Sequence, residues 1–207
     1  MGQAAFSTKV RALICCITLM LASCATVPPP SMSVDEIASF KLTGVEVHGV
    51  DVIRSWPAEE KRFLATNSDP EIARRLPDES AQNFPAVQAY FQATLQRTFK
   101  AQFDNQIAPV MSGSRPVKAI ITLSQFDVPS VARRVFIDQY AKIRATIELT
   151  DVKTNASLLT YAGPYRQQWM VGGLGAAVVS SLTREDDPEN ALIANYVSAY
   201  RDWLITR

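Results

Sequence analysis

The sequence predicts an α+β fold, a mostly antiparallel sheet of about four strands with two helices packed on one face. Two long segments carry apolar residues at spacings of three and four, which is typical of helices with one buried face. Between them lie segments in which apolar and polar residues alternate, as in strands that are buried on one side. The order strand, helix, three strands, helix favours two layers, with both helices covering the same face of the sheet.

The first strand is predicted over 40–52. Its apolar positions change phase near Gly44 and again near Gly49, which indicates a bulge. Residues 53–83 follow as a long connection rich in proline and charge, and we interpret this connection as a surface feature. The most regular structure expected within it is a pair of short helical turns, at 58–65 and 70–75.

The first long helix is expected between Asn83 and Ile107. Asn83 can cap its amino-terminal end, and Pro85 suits the first turn, because the N–H that proline lacks would have no partner there. The apolar residues recur on one strongly aromatic face, which contains Val87, Tyr90, Phe91, Leu95, Phe99, Phe103 and Ile107. This face is expected to be buried.

Three strands are predicted next, over 116–127, 135–150 and 158–168. Pro129 stops the first of them, because proline cannot donate to a ladder of strand hydrogen bonds. The second has the longest clean alternation, and its buried side is expected to contain Val135, Ile137, Ala141, Ile143, Ala145, Ile147 and Leu149. A hairpin turn over 151–156 leads to the third strand, whose pairing must loosen or bulge at Gly163 and Pro164.

A second long helix is expected from Asp187 to about Ile205. Asp187 can cap it, and Pro188 and Glu189 suit a first turn that carries partial positive charge. Its buried face is expected to contain Leu192, Tyr196, Val197, Tyr200, Trp203 and Leu204.

The amino-terminal segment has the pattern of an export signal. Lys9 and Arg11 precede an apolar run over 12–21, which is too short to cross a hydrocarbon core of about 30 Å. The run ends in Leu21-Ala22-Ser23-Cys24, which resembles the lipobox of bacterial lipoproteins. The resemblance implies that Cys24 becomes the first mature residue, is lipidated, and holds the protein to a lipid bilayer through its acyl chains.

The lipobox resemblance divides the chain into a signal peptide at 1–23, a proline-rich tether at 24–33 and a single α+β periplasmic domain at 34–207. An ordinary cleaved secretory signal, in which Cys24 is incidental, is the alternative. Ala25 follows the cysteine in a chain that looks Gram-negative, which implies sorting to the outer membrane, facing the periplasm. The inner membrane and the cell surface are the other locations considered.

Removal of the signal limits the chemistry open to the mature chain. Cys15 and Cys16 leave with it and Cys24 carries lipid, so the domain has no free thiol and must fold without disulfides. The loss of Lys9 and Arg11 changes the formal net charge from +1 to about −1, which gives no electrostatic footprint for nucleic acid.

Residues suited to catalysis or metal binding are scarce. His48 is the single histidine, so a zinc site is excluded, and no metal or cofactor is expected. Without a nucleophile elbow, His48 is interpreted as a strand residue. The carboxylates Glu59 and Glu60 fit a solvated surface, and 185–187 fit a helix entry. No catalytic residue is identified, and the protein is not expected to be an enzyme.

The candidates for partner binding are aromatic and basic side chains in or beside irregular segments, because such residues dominate interface hot spots. They are Trp56, Arg133, Arg134 and Trp169. A strip of small apolar residues at 170–182 adds Gly172, Gly173 and Gly175. This strip can be a loop and short helix packed under the sheet, a mobile lid or docking strip, or a contact with the bilayer.

A second resemblance rests on the middle of the chain. An apolar strand ends in Phe126, a link with Arg133 and Arg134 follows, and a long strand closes on Thr150-Asp151, with Thr154 in the turn. This stretch, 117–159, resembles the central region of small lipoproteins of unknown function from alphaproteobacteria. The resemblance implies an α+β periplasmic domain on a lipid anchor and supplies no catalytic residues.

Two functions fit these expectations. The first is a non-enzymatic adaptor that binds another envelope protein through an exposed apolar or aromatic patch. The second is an auxiliary lipoprotein of a lipid or small-molecule transport system, similar in general design to those of ABC transporters. The second requires an apolar pocket of a few hundred cubic ångströms between the sheet and the helices.

Overall fold

The computed structural model describes residues 27–130, 133, 137, 139–170 and 188–206. Within these ranges the elements are α1 (Val34–Ala38), β1 (Phe40–His48), α2 (Pro57–Thr66), α3 (Pro70–Arg75), α4 (Pro85–Gln106), β2 (Arg115–Asp127), β3 (Tyr140–Asp151), β4 (Ser157–Ala162), β5 (Arg166–Trp169) and α5 (Pro188–Leu204). Single 3₁₀ turns lie at Val50–Val52, Ala81–Asn83 and Ala108–Val110.

The described strands form one mixed sheet in the order β1, β2, β3, β4, with β5 also paired to β3. β1 and β2 are parallel, whereas β3 is antiparallel to β2, β4 and β5. The α+β class is confirmed. The prediction of a mostly antiparallel sheet needs correction, because α4 carries the chain back across the sheet between β1 and β2, and such a crossover makes the two strands parallel.

Both long helices cover one face of the sheet. α4 packs over β1, α5 packs over β3 and β5, and the two helices contact each other. The buried side chains between the layers are aliphatic and aromatic, and the largest of them are Trp56, Tyr196, Tyr200, Phe40, Phe91, Phe99 and Phe103. The opposite face of the sheet carries polar side chains, such as the Lys118 ammonium, which lies 3.0 Å from the Glu46 carboxylate.

The first predicted strand has its expected bulge but ends earlier than predicted. The bulge expected near Gly44 is confirmed by a register shift between Leu42 and Gly44. β1 ends at His48, earlier than predicted, because Gly49 takes a φ of 82° and begins a 3₁₀ turn. A Cβ at Gly49 would lie 2.4 Å from the carbonyl oxygen of Leu123, so this close approach also requires glycine.

The predicted break at Gly163 and Pro164 is confirmed, and it splits the last predicted strand into two. β4 pairs with 146–150 of β3 and β5 pairs with 140–143, which leaves Ala145 between the two ladders. The hydroxyl of Tyr196 donates to the carbonyl oxygen of Ala145 and accepts from its N–H at 3.2 Å. A helix side chain therefore takes the place of the missing strand partner.

Gly163 makes room for this contact. A Cβ at position 163 would lie 1.9 Å from the Tyr196 hydroxyl oxygen, so a larger residue would displace that hydroxyl from Ala145. Burial raises the pKa of Tyr196 above its ordinary value. The phenol therefore stays protonated and can donate its hydrogen bond.

The free edge of β1 is covered by glutamine side chains from α4. Gln92 donates to the carbonyl oxygen of Val47 at 2.7 Å, and Gln96 donates to the carbonyl oxygen of Val45. The Gln96 side-chain oxygen accepts from the N–H of Val47 at 3.1 Å. Because residues four apart share one helix face, these amides satisfy an edge that could otherwise pair with another strand.

No described helix is both long and apolar enough to cross a membrane.

Two buried tyrosines of α5 are expected to differ in how much stability the domain loses when the hydroxyl is removed. Tyr196→Phe leaves both backbone groups of Ala145 without a partner and should lower the free energy of unfolding by about 1–3 kcal/mol. The Tyr200 hydroxyl is buried and has no hydrogen-bond partner among the described residues, so Tyr200→Phe should change stability by less than about 0.5 kcal/mol or raise it. Urea unfolding of the two variants measures the difference, and equal losses would contradict this assignment.

Loss of the glutamine cover should destabilise the domain and expose the edge of β1. Gln96→Leu removes two hydrogen bonds and should cost about 1–3 kcal/mol of unfolding free energy, with self-association that grows with protein concentration. Asn105→Leu, on an exposed position of the same helix, is the matched control. Urea unfolding and analytical ultracentrifugation give the two readouts. A Gln96→Leu protein that is as stable and monomeric as the control would refute the assignment.

Candidate functional site

Two large aromatic side chains are exposed where β3 begins and β5 ends. Tyr140 and Trp169 are direct partners in the antiparallel ladder, and 43% and 53% of their surfaces are exposed. The Trp169 indole N–H donates to the Gln139 side-chain oxygen at 3.2 Å. Directly paired residues share a face of the sheet, so the two rings are presented on the same side.

Ile137 precedes this pair and is 81% exposed. It lies one helical turn after Arg133, because its N–H donates to the Arg133 carbonyl oxygen at 2.8 Å. We refer to Ile137, Tyr140 and Trp169 as the Trp169 patch. Ile137 lies three residues before Tyr140 along the chain, and exposed large apolar side chains are typical of binding surfaces, so the patch is the candidate binding surface.

The chain around the patch is held by polar contacts. Arg133 forms a two-pronged ion pair with Asp127 at the end of β2, with nitrogen to oxygen distances of 2.8 and 3.0 Å. Asn195 of α5 donates to the Gln168 side-chain oxygen at 2.8 Å and so ties β5 to the helix layer. A surface whose flanks are fixed in this way loses less conformational entropy on binding.

The predicted binding residues separate into three groups. Trp169 lies in the patch and Arg133 lies beside it, at the same end of the sheet. Arg134, Gly172, Gly173, Gly175 and the lipidation residue Cys24 lie outside the described residues, so their predicted roles stay predictions. Trp56 lies in the core.

Trp56 supports the patch end of the sheet from within. It is 2% exposed, and its ring centroid lies 4.9 Å from that of Phe126 and 5.5 Å from that of Phe91. Its position between α4 and β2 corrects the expectation of an exposed aromatic residue. The proline and charge around Trp56 indicated a surface connection, but the connection folds back over the core, and the indole fills the space above Phe126.

The carboxylate of Glu59 is also buried, contrary to the solvated surface expected for it. The Tyr90 hydroxyl donates to Glu59 at 2.8 Å, and Arg62 pairs with the same carboxylate. Burial, followed by the hydrogen bond to Glu59, raises the pKa of Tyr90. These contacts lock α2 onto α4, so the carboxylate has a structural role.

His48 and Glu60 have structural surroundings as well. His48 ends β1, and its imidazole lies 3.9 Å from the Glu46 carboxylate. Glu60 accepts from the backbone N–H of Trp56 at 2.7 Å, which closes the first turn of α2. Neither group is brought next to a nucleophile by a described contact.

One groove of the described structure lies away from the sheet–helix interface. It has a volume of about 670 Å³ and is lined by residues 29–35 and by Thr206. The space between sheet and helices, where the transport hypothesis requires a pocket, contains fully buried aromatic and aliphatic side chains such as Phe91, Phe99 and Ile121. The groove therefore belongs to the amino-terminal segment.

Sequence reasoning missed Ile137 and Tyr140. Ile137 shares its parity with the buried residues of β3, but the strand begins three residues later, so the alternation does not reach it. Tyr140 shares its parity with the polar face. An aromatic residue among charged positions was the signal available for it.

Comparisons with known proteins give remote structural neighbours. No protein-family model matches the chain, and no curated protein matches its sequence. A point variant of PelC from Paraburkholderia phytofirmans, a dodecamer, has 13% identity and a TM-score of 0.38 over 88% of this chain and 99% of that one. A second PelC dodecamer structure has 14% identity and a TM-score of 0.33 over 84% and 95%.

The third neighbour is a candidate lipoprotein from Caulobacter crescentus. It has 13% identity and a TM-score of 0.32, over 53% of this chain and 80% of that one. Because these identities and TM-scores are low, the fold and the candidate site are assigned from the contacts within this chain.

The two tryptophans should differ strongly in their contribution to stability. Trp56→Ala empties a packed core position and should lower the free energy of unfolding by about 3–5 kcal/mol. Trp169→Ala removes a half-exposed side chain and should cost less than about 1 kcal/mol. Urea unfolding monitored by far-UV circular dichroism measures both variants. A loss of several kcal/mol for Trp169→Ala would mean that this residue is structural.

Proposed function

We propose that the protein is a non-enzymatic binding module of the cell envelope, held to the membrane by lipid on Cys24, and that it binds another envelope protein through the Trp169 patch. The observation that carries the proposal is the exposure of Tyr140 and Trp169 as a cross-strand pair. The pattern Leu21-Ala22-Ser23-Cys24 supports the lipid anchor. The outer membrane, with the domain facing the periplasm, is the proposed location.

A protein partner is favoured by the composition of the patch. Its exposed groups are two aromatic rings and an aliphatic side chain, and large aromatic residues contribute most to the centres of protein interfaces. Arg133 lies at the same end of the sheet, paired with Asp127. Arg144 lies four positions from Tyr140 along β3, with its guanidinium 5.7 Å from the ring centre of Tyr165. An apolar centre with a polar rim is the usual arrangement of such interfaces.

The absence of enzymatic activity remains part of the proposal. It is supported by the engagement of the most buried carboxylates in structural contacts. Glu59 binds Tyr90 and Arg62, and Asp151 binds the Arg115 guanidinium at 2.8 Å together with two backbone N–H groups of its own turn. These hydrogen bonds lower the pKa of Asp151 and keep it ionised.

Site-specific photocrosslinking in the native host tests the proposed surface. A photoreactive amino acid at position 169 should give one discrete protein adduct, whereas the same residue at Val152 should not. Val152 is also exposed but lies in the hairpin at the other end of β3. Tyr140→Ala should reduce the adduct formed from position 169, because it removes the ring that lies opposite that position in the ladder.

The outcomes separate the parts of the proposal. Adducts of equal yield from positions 169 and 152 would refute the patch as a specific binding surface. The intact mass of the wild-type protein should include acyl chains, and Cys24→Ser should abolish that added mass. A wild-type protein whose intact mass includes no acyl chains would refute the lipid anchor, and the crosslinking result would still decide whether the patch binds a partner.

A further inference from the structure

The amino-terminal segment is docked on the domain along the residues predicted to be a tether. Val27 and Met32 pack against the hydrophobic core. The Trp203 indole N–H donates to the carbonyl oxygen of Pro28 at 2.6 Å. Ser33 then caps α1 by a reciprocal pair of hydrogen bonds with Glu36, and α1 leads directly into β1. From Val27 onward, the segment therefore follows the surface of the domain.

This docking leaves very little chain between the domain and the proposed lipid. Two residues, Ala25 and Thr26, separate Cys24 from Val27. The three steps from one Cα to the next along this segment span at most about 11 Å even when the chain is fully extended. The sulfur of an acylated cysteine lies at the membrane surface. The point where Val27 enters the domain must therefore lie within about 11 Å of that surface.

We propose that the carboxyl-terminal end of α5, together with the segment docked on it, forms a membrane-facing surface that rests on the bilayer. This inference rests on the proposed acylation of Cys24. The surface contains Trp203, the 41%-exposed Ile205, and Thr206 beside Pro29 and Pro30. This surface contacts the headgroup layer of the membrane, because the short connection between Cys24 and Val27 places lipid at this end of the domain.

The composition of the surface fits shallow contact. Trp203 is half-buried and has one polar atom, a combination that suits the boundary between headgroups and hydrocarbon. The carboxylates of Asp35 and Asp202 are exposed around it, and charged groups are costly to move into hydrocarbon. The surface therefore lies at the level of the headgroups and does not insert.

The inference gives the Trp169 patch a defined orientation. Trp203 packs on Tyr161, with ring centroids 5.1 Å apart, and Tyr161 is the ladder partner of Ile147. Tyr140, the partner of Trp169, lies seven positions away along β3, which corresponds to about 23 Å. The membrane-facing surface thus lies beside the second half of β3, whereas the patch lies where β3 begins, so the patch points away from the lipid.

Fluorescence quenching from the membrane measures this orientation in the full lipidated protein. Single cysteines at Thr206 and at Gln167 carry a thiol-reactive fluorophore, and both positions are exposed. The protein is reconstituted into vesicles of phosphatidylethanolamine and phosphatidylglycerol that contain a headgroup nitroxide lipid. Quenching should be several-fold stronger at position 206 than at position 167. Asp35→Cys, in the same groove as Thr206, provides a second proximal position if the first variant does not fold.

Two controls separate this inference from the proposed function. Acylated wild-type protein has no free thiol, so it should not take up the fluorophore. Uptake by the wild type would refute both the lipid anchor and the membrane-facing surface. Equal or reversed quenching at 206 and 167, with an unlabelled wild type, would overturn the orientation alone.

A lengthened connection provides the matched test of the mechanism. A flexible insertion of about twelve Gly and Ser residues after Thr26 adds an average reach of about 20 Å. If the short connection holds the surface on the bilayer, the insertion should remove most of the difference in quenching between positions 206 and 167. An unchanged difference would mean that another feature orients the domain, and the role assigned to the short connection would be wrong.

Discussion

The arrangement of this domain depends on the hydrogen bonds between the hydroxyl of Tyr196 and the backbone of Ala145. Ala145 lies in the middle of β3, which pairs with three other strands. It lies at the break between β4 and β5, where neither strand pairs with it. A buried strand cannot leave its N–H and C=O groups without partners, since each would cost free energy. A phenol that both donates and accepts satisfies the two groups at once.

This contact fixes the positions of both surfaces to which a function is proposed. It sets α5 on the sheet, so that Tyr196, Tyr200 and Trp203 form one stripe that packs on the ring of Tyr161. The end of that stripe reaches Pro28 of the amino-terminal segment. The same interruption in the ladder begins β5, which ends in Trp169. A single break between β4 and β5 therefore positions the docking site of the amino-terminal segment and the exposed aromatic pair.

The sequence predicted the elements far better than it predicted their partners. The apolar periodicity located α4, α5 and β3, and proline and glycine located the break in the last strand, because these signals are local. The parallel pairing of β1 with β2 depends on where a long connection returns, which periodicity does not encode. In the sequence, the glutamines of α4 look like ordinary polar surface residues. In the structure they bind the edge of β1, because side-chain amides can replace the backbone groups of a neighbouring strand.

The site was harder to predict than the fold, because two residues of the same type can differ completely in burial. Trp56 and Trp169 both lie beside irregular segments, and hot-spot reasoning treats them alike. The connection that contains Trp56 folds over Phe126, whereas Trp169 ends an edge strand, where no described element covers it fully. The difference arises from tertiary contacts some 70 residues away along the chain.

The same contacts explain why a short connection and a distant patch belong together. A protein on a long flexible tether can present any face to a partner, so the position of its binding surface relative to the anchor has little effect. A domain held within a few residues of its lipid has no such freedom, and only surfaces remote from the anchor stay accessible. The exposed aromatic residues lie at the end of β3 that satisfies this condition. With the proposed anchor at Cys24, the docking of Pro28 on Trp203 and the exposure of Trp169 would meet one requirement, that a closely anchored module direct its binding surface away from the membrane.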